Sequence, residues 1–381
     1  MSEPRGVSTL IVGGGVIGLA LAWELAQRGR RVVLLEAAEI GRGASWAGAG
    51  ILPPTARGGT SDPYEQLRAL SHQTHPEWAN RLRELTGIDT GYCRCGGIYL
   101  ATTAGEAATL AAQRSWWTAH GIEHKQWSVE ELLRREPHLA HRSTGSQSWL
   151  QQLRAVWYLP DECQLRNPHH LRALVAACQL QGVELCSHAA VQRIEPLGAG
   201  GIHVDSDAGS FVADQVCICS GAWAQQMLAS LQLPTGLMPV RGQIVLYRCS
   251  QPLLHSVVNE GHRYLVARRD GRLLAGSVEE EAGFAVETTP EAIAHIRRWA
   301  EGVLPLLKEQ PIEKTWAGLR PGVYDGFPYL GAVPGVDNLF VAAGHYRSGL
   351  HLSCATAIVM ANAMLGIPNA IDLHPFRVGR G

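Results

Sequence analysis

The stretch Ser8-Thr-Leu-Ile-Val-Gly-Gly-Gly-Val-Ile-Gly-Leu-Ala-Leu-Ala-Trp-Glu-Leu-Ala-Gln-Arg-Gly-Arg-Arg-Val-Val-Leu-Leu-Glu36 decides how this chain folds. Ser8 to Val12 is a short β-rich run, and Gly13-x-Gly15-x-x-Gly18 follows it. Leu19 to Gln27 reads as a helix stopped by Gly29, and Arg31 to Glu36 as a second apolar strand ending on an acid. Strand, glycine turn, helix and strand in this space have the size of a βαβ unit. In such a turn the first glycine makes the bend and the second lets backbone approach a pyrophosphate. The third lets the helix pack closely on the strand. The helix N-terminus then offers free N–H groups and a positive dipole end to negative charge. A carboxylate at Glu36 can accept hydrogen bonds from both ribose hydroxyls and would repel the 2′-phosphate of NADP. The competing reading, a glycine turn with no ligand, is disfavoured because the motif follows a strand and opens a helix.

FAD and NAD share this fingerprint, so the rest of the chain must discriminate. Arg42-Gly-Ala-Ser-Trp-Ala-Gly-Ala-Gly50 is a second small-residue loop, and Ala342-Ala-Gly-His-Tyr-Arg-Ser-Gly349 a third. Small residues at both ends of the chain fit an extended cofactor crossing the fold better than they fit NAD. Elsewhere, apolar spacing predicts helices over Glu65 to Leu85, Ala104 to His120, Val129 to Arg135, Pro168 to Gln181, Pro290 to Leu307 and Leu350 to Leu365. Alternating runs from Ala190 to Ala213 predict an antiparallel meander, and Pro239 to Val278 is strand-rich. The mixture implies two interleaved domains, one α/β and one with a sheet covered by helices on one side.

Composition narrows the function. The net charge is −1 and no basic run occurs, which argues against a nucleic-acid binder. Apolar residues make up 46%, enough for a large core and against disorder. The 42 glycines are about 11% of the chain against an ordinary 7% or so, which points to sites built from backbone. Thr9 to Ala22 is the longest apolar stretch near the start and falls short of the roughly 20 residues that cross a bilayer. No secretory signal is evident, so cytoplasmic residence is expected. Nine cysteines, an odd number, then read as reduced thiols. Cys93-Arg-Cys95 and Cys217-Ile-Cys219 lack zinc-site spacing, so no metal is expected and both pairs read as inert.

At this point a resemblance becomes visible. Ile11 to Gly18, Gly43-Ala-Ser45 with Gly50-Ile-Leu52, Ala190-Val191, Cys219-Ser-Gly-Ala-Trp223, Pro239-Val-Arg-Gly242, Trp316-Ala-Gly-Leu-Arg-Pro321 with Asp325-Gly326, and Gly344-His-Tyr-Arg-Ser-Gly349 run from end to end of the chain. Together they resemble the D-amino-acid oxidase superfamily of FAD-dependent amine oxidases, and within it the bacterial glycine oxidases of thiamine biosynthesis. The resemblance implies an α/β plus α+β fold: an FAD-binding Rossmann-like domain interleaved with an antiparallel-sheet substrate domain. The expected division is 1–60, 150–225 and 315–381 for FAD, with 61–149 and 226–314 for substrate.

Carried over residue by residue, the resemblance implies FAD contacts at Gly13, Gly15, Val16, Ile17, Gly18, Glu36, Ala37, Ala44, Ser45, Ala49, Gly50, Ile51, Val191 and Gly221. Val191 would meet the adenine through its backbone. His345, Tyr346, Arg347, Ser348, Gly349, Leu350 and His351 would wrap the flavin. Arg320 would grip the substrate carboxylate, with Arg347, Tyr264 and Ile51 around it. A planar guanidinium can hold a carboxylate in two parallel hydrogen bonds, fixing the amino acid against flavin N5. Hydride transfer from a neutral amine needs no protein base at the carbon.

Bland readings compete: Arg320 as a surface arginine, Arg347 as an ion-pair partner, Tyr264 and His351 as plain core. Trp46 is bulky for its loop and is expected to point away from the cofactor or fill a gap beside it. Gly318 stands where the monomeric sarcosine oxidases carry their flavin-linking cysteine, so FAD is expected to be noncovalent. The implied activity is oxidation of glycine to an imine for thiazole synthesis, with O2 reduced to H2O2. A sarcosine, D-amino-acid or cyclic imino-acid oxidase or dehydrogenase is the alternative. A flavin-carrying subunit of a larger complex is the alternative of another class. Expected partners are a small amino acid and O2, with no nucleic acid or membrane. The family often forms homo-oligomers, and the sequence fixes no number.

Overall fold

Strand Arg5–Val12 lies between Val32–Leu35 and Gly209–Ile218, parallel to both, and Val336–Ala343 extends the sheet in parallel. The computed structural model describes residues 3–57, 59–140, 149–198, 200–233 and 235–380. Among these the strands form sheets of eight, eight and three.

The first sheet carries the glycine turn. Successive side chains of a strand point to opposite faces, and here both faces are covered, so the strands read as unbroken apolar runs. Ile11, Leu34 and Cys217 face one core with the opening helix Val16–Gln27, helix Asn167–Leu180 and helix Gly349–Met364. Leu10, Val12, Val33 and Leu35 face a second core under the meander Val191–Pro196, Ile202–Ser206 and Gly209–Ile218. That meander is antiparallel, as its alternation predicts. At Gly18 a methyl group would stand 1.9 Å from Gly13 O, so only glycine lets the helix seat against its own turn.

The second sheet is mostly antiparallel, in the order 312–323, 237–248, 272–276, 263–267, 257–260, 97–101, 155–159, 125–126. Helix Pro290–Val303 packs Ile296, Trp299, Ala300 and Val303 onto it. The third sheet joins Ile51–Leu52, Cys163–Gln164 and Cys93–Arg94.

Two expectations change, and near residues 61 and 150 the cores and sheets show how the chain packs. Helix Pro63–Thr86 inserts Leu67, Trp78 and Leu82 into the first core, with Trp78 edge-on to Trp23 at 4.7 Å. Strand Ala155–Leu159 pairs with Gly97–Ala101 in the second sheet. The helix expected to reach Leu307 ends at Val303, because Leu304 precedes Pro305 and leaves the helical region at φ −129°, ψ 83°, which a following proline disfavours. A 3₁₀ turn, Pro305–Glu309, continues the chain. The loop at 42–50 holds one helical turn, Ala44–Ala47.

Helix Pro63–Thr86 shows how local chemistry sets its ends. Asp62 accepts from the backbone N–H of Tyr64 and Glu65, Pro63 occupies the first turn, and Gly87 closes it at φ 71°. No helix among the described residues is long and apolar enough to cross a membrane.

Candidate active site

A cavity of about 1400 Å³ runs from Glu36 past the glycine turn to the second sheet. That exceeds the usual 300–1,000 Å³ or so of a small-ligand pocket and suits an extended group plus a small molecule. All the predicted site residues line it except Gly18, which sits behind the turn.

At one end, Glu36 Oε2 accepts from Gly14 N at 2.7 Å and Oε1 from Ala38 N at 3.0 Å. Ala37, Val191 and Gly221 line the cavity with it. Each Glu36 oxygen accepts one bond here and keeps capacity for another, as a ribose needs. In the middle, Gly13, Gly15, Val16 and Ile17 form the turn and first helical residues. Ser45 Oγ accepts from Val16 N at 2.9 Å, docking the turn Ala44–Ala47 on that helix N-terminus. Ala44, Ala49 and Gly50 complete this wall.

The far end is built by strand alternation. Trp316, Gly318 and Arg320 sit two residues apart on strand Ile312–Val323, so they share a face. Gly242 and Ile244 lie opposite Gly318 and Trp316 on Leu237–Arg248, and Tyr264 opposite Gly276. Arg320 donates from Nη2 to Ser277 Oγ at 2.7 Å and from Nη1 to Val278 O at 3.1 Å. A methyl on Gly242 would stand 2.3 Å from that guanidinium, and one on Gly276 would stand 2.6 Å from the Tyr264 ring. The two glycines therefore make the floor on which arginine and tyrosine lie. Burial raises the pKa of Tyr264, although Arg320 and a hydrogen bond with Ser277 oppose it. Its hydroxyl stays protonated near neutrality. Ile51 lies in the short strand Ile51–Leu52 at the same end.

Arg347 does not stand free in the pocket. It donates from Nη1 to Glu279 Oε1 and meets His262 Nδ1, both at 3.1 Å. Burial would raise the Glu279 carboxyl, but a hydrogen bond with Tyr346 and the charges of Arg347, His262 and Arg320 outweigh it and lower its pKa. Tyr346 has φ 48°, a left-handed conformation that bulky residues adopt only under constraint. It lies in the 3₁₀ turn Tyr346–Ser348 that leads into helix Gly349–Met364, and Ser348, Gly349 and Leu350 bring that helix N-terminus to the cavity.

The two histidines of this segment have their rings in the core. His345 Nε2 meets Thr356 Oγ1 at 3.1 Å, and burial pushes its pKa down to about 3. The His351 ring packs edge-on to His72 at 5.6 Å and parallel to His75 at 6.3 Å, and its carbonyl meets His75 Nε2. Trp46 leans on Trp316 at 5.3 Å beneath Lys314, filling the wall beside the cavity.

Sequence reasoning missed Ser277 and Glu279. Neither belongs to a motif: Ser277 reaches Arg320 through strand pairing in the second sheet, and Glu279, just beyond that sheet, meets Arg347 of the 3₁₀ turn Tyr346–Ser348. All nine cysteines are free thiols, and no three potential metal ligands cluster among the described residues.

Comparison with known proteins agrees with this geometry. The sequence profile of the FAD dependent oxidoreductase family matches residues 8–363. A glycine oxidase of Geobacillus kaustophilus is 36% identical over 97% of this chain and 96% of its own. The crystal structure of glycine oxidase from Geobacillus kaustophilus superposes with a TM-score of 0.92 at 35% identity, covering 99% of each chain. A bifunctional ThiO/ThiG protein of Synechocystis is 33% identical over 96% of this chain but only 53% of its own length. With a dinucleotide cradle, a cavity of matching size and a profile spanning nearly the whole sequence, the chain belongs to the FAD dependent oxidoreductase family.

Proposed function

We propose that this chain uses FAD to oxidise glycine to its imine, passes the electrons to O2 with release of H2O2, and so supplies thiazole synthesis for thiamine. One observation carries the reading. Arg320, Tyr264 and Ile51 line the same cavity as the dinucleotide cradle, in a chain 36% identical to a glycine oxidase over nearly its full length. The similarity to a ThiO/ThiG protein supports the thiamine link.

When bound, FAD supplies the two-electron oxidation at the substrate α-carbon. The chain does the rest by binding and orientation. Glu36 would hold the ribose, the amides at Gly15 to Ile17 the pyrophosphate, and the backbone at Val191 the adenine. The N-terminus of helix Gly349–Met364 would face the flavin. Arg320, its plane set by Ser277 and Val278, would take the carboxylate in a two-pronged grip. Tyr264, kept protonated, would donate to the same carboxylate, and Ile51 would limit the side chain that fits. Gly318 offers no sulfur, so FAD is held without a covalent bond.

We read the fold as two interleaved units close to the expected division, with 63–86 joining the FAD unit and 155–159 the substrate unit by packing. The free thiols support a reducing, cytoplasmic setting. A homo-oligomer of unstated number fits the family.

The test is anaerobic reduction of the flavin absorbance by glycine, sarcosine, D-alanine and D-proline, followed by admission of air. Fastest bleaching by glycine and recovery in air with peroxide formed are expected. Preference for a bulkier amine, or no recovery in air, would replace the reading with a sister oxidase or a dehydrogenase. Acid precipitation should release the flavin into solution.

A further inference from the structure

The cavity wall that holds Tyr264 also includes three arginines, Arg263, Arg320 and Arg347. Their partners differ in charge. Arg263 meets the carboxylates of Glu106 and Glu260, each at 3.4 Å. Arg347 donates to Glu279 Oε1 at 3.1 Å and stands 3.1 Å from His262 Nδ1. Arg320 donates to neutral oxygens, Ser277 Oγ and Val278 O. Among the described residues, Arg320 is therefore the one of the three with no carboxylate against it.

The carboxylate on Arg347 comes from the same short segment that fixes Arg320. Ser277, Val278 and Glu279 directly follow strand Arg272–Gly276. Two residues of chain span at most about 7 Å, so the two guanidiniums are anchored side by side. The segment gives one of them a hydroxyl and a carbonyl, and the other a negative charge. We propose that Glu279 determines specificity: by neutralising Arg347 it leaves this pocket one unpaired cation, so that monocarboxylic amines are accepted and dicarboxylic ones rejected. The inference rests on the amino-acid oxidase reading and deepens it by naming the substrate charge that the site selects.

Selection works as a competition for one guanidinium. A monocarboxylic amine puts its carboxylate on Arg320 and needs nothing from Arg347. A second carboxylate on the substrate must take Arg347 away from Glu279. Glu279 is tethered beside it by the chain, so even when displaced it stays close to the newcomer as a like charge. Like charges brought together across a contact suppress the wrong partner. Building a repulsive group against a competitor is a general route to specificity.

The pair is suited to this role and poorly suited to a structural one. The Arg347 and Glu279 side chains are 35% and 29% exposed. Water screens an ion pair at such a site, so it adds little to the stability of the fold. Glu279 is nonetheless charged near neutrality, because its neighbours lower its pKa although burial would raise it. What the carboxylate changes is the number of free cations that a ligand meets in the cavity.

The test compares glycine with iminodiacetate, which is glycine bearing a second carboxymethyl group on nitrogen. Oxygen uptake gives kcat/KM for both with three holoproteins: wild type, Glu279→Gln, and Glu279→Gln combined with Arg347→Gln. A freed guanidinium can make a charge-assisted bond to the second carboxylate. The ratio of iminodiacetate to glycine kcat/KM should therefore rise at least about tenfold in Glu279→Gln. The double variant should lose that gain. Calorimetric titration with glutarate, which has the same chain length with CH2 in place of the amine, reads binding apart from turnover. Its affinity should rise by a similar factor in Glu279→Gln and fall back in the double variant. A ratio within about twofold of wild type, or a gain that survives the loss of Arg347, would overturn the proposal. If Glu279→Gln fails to fold, Glu279→Met takes its place under the same criteria. Failure of the glycine reading shows separately, as wild-type flavin that glycine does not bleach.

Discussion

Gly242→Ala should damage substrate binding while sparing the fold. A methyl at this position would stand 2.3 Å from Arg320 Nη2, 2.5 Å from Cζ and 2.6 Å from Nη1. Carbon contacts settle at about 3.5 Å or more, so the guanidinium must retreat by about 1 Å. Its bonds to Ser277 Oγ and Val278 O, now 2.7 and 3.1 Å, then stretch past useful length. The yielding part is the end of a flexible side chain, and Gly242 sits in a regular ladder opposite Gly318. Alanine is at least as content in a strand as glycine, so the melting temperature should hold. Losing one charge-assisted hydrogen bond to the substrate carboxylate removes about 1.5–3 kcal/mol. That corresponds to a drop of about 10- to 150-fold in kcat/KM. Oxygen uptake with glycine measures it, with thermal unfolding of the same preparation as control. A kcat/KM within about twofold of wild type would mean that Arg320 does not hold the carboxylate, and the pocket assignment would fall.

Ser277→Ala removes one partner from Arg320; KM for glycine should rise about tenfold with kcat nearly kept, and the reverse pattern would argue against a positioning role. Gly18→Ala aims a methyl at Gly13 O, which is backbone and cannot yield. It should cost about 1–3 kcal/mol or more and strip FAD, read as a lower melting temperature and less flavin absorbance per protein; a yellow, stable variant would contradict the cradle. Acid should destabilise the protein. Burial pushes His75 down to about 4 and His170 and His345 to about 3, so as pH falls below about 6.5 the unfolded chain takes up protons that the folded chain refuses. Glu162, pushed up to about 7 by burial, acts oppositely between its ordinary 4.5 and 7, favouring the fold at low pH. Three groups outweigh one, so the melting temperature should drop from pH 7 to pH 5. A flat or rising profile would refute the assignment of these rings as neutral.

The parts legible from sequence were those written in consecutive residues. The turn Gly13 to Gly18 announces itself because strand, turn and helix are contiguous, and helix Val129–Arg135 appears where its spacing predicts it. The meander from Val191 to Ile218 shows in plain alternation. Arg320 stood out only by resemblance, since an arginine before a proline has no local mark of a ligand. The Ser277 and Glu279 contacts were invisible for a related reason. Residues 264, 277 and 320 meet only once four strands have paired across the second sheet, and no local pattern encodes that register. The helix Pro63–Thr86 showed its apolar stripe, but a stripe reveals that a face is buried and not which core receives it. The helical turn at Ala44–Ala47 was hidden because glycine and alanine carry no periodic side-chain signal.

The interleaving has a consequence for how the molecule is made. Strand Arg5–Val12 meets its parallel neighbour Val32–Leu35 early in synthesis, but its other parallel neighbour only when Gly209–Ile218 has been made, and the far cavity wall waits for residues 345–351. An apolar strand with one edge open is an aggregation hazard during that delay, and such long-range pairing is slow. The cofactor therefore arrives at an almost finished chain, where it stabilises the native state by mass action alone. Cells short of flavin should accumulate this protein in its most fragile form, complete in sequence and poorly protected against proteolysis.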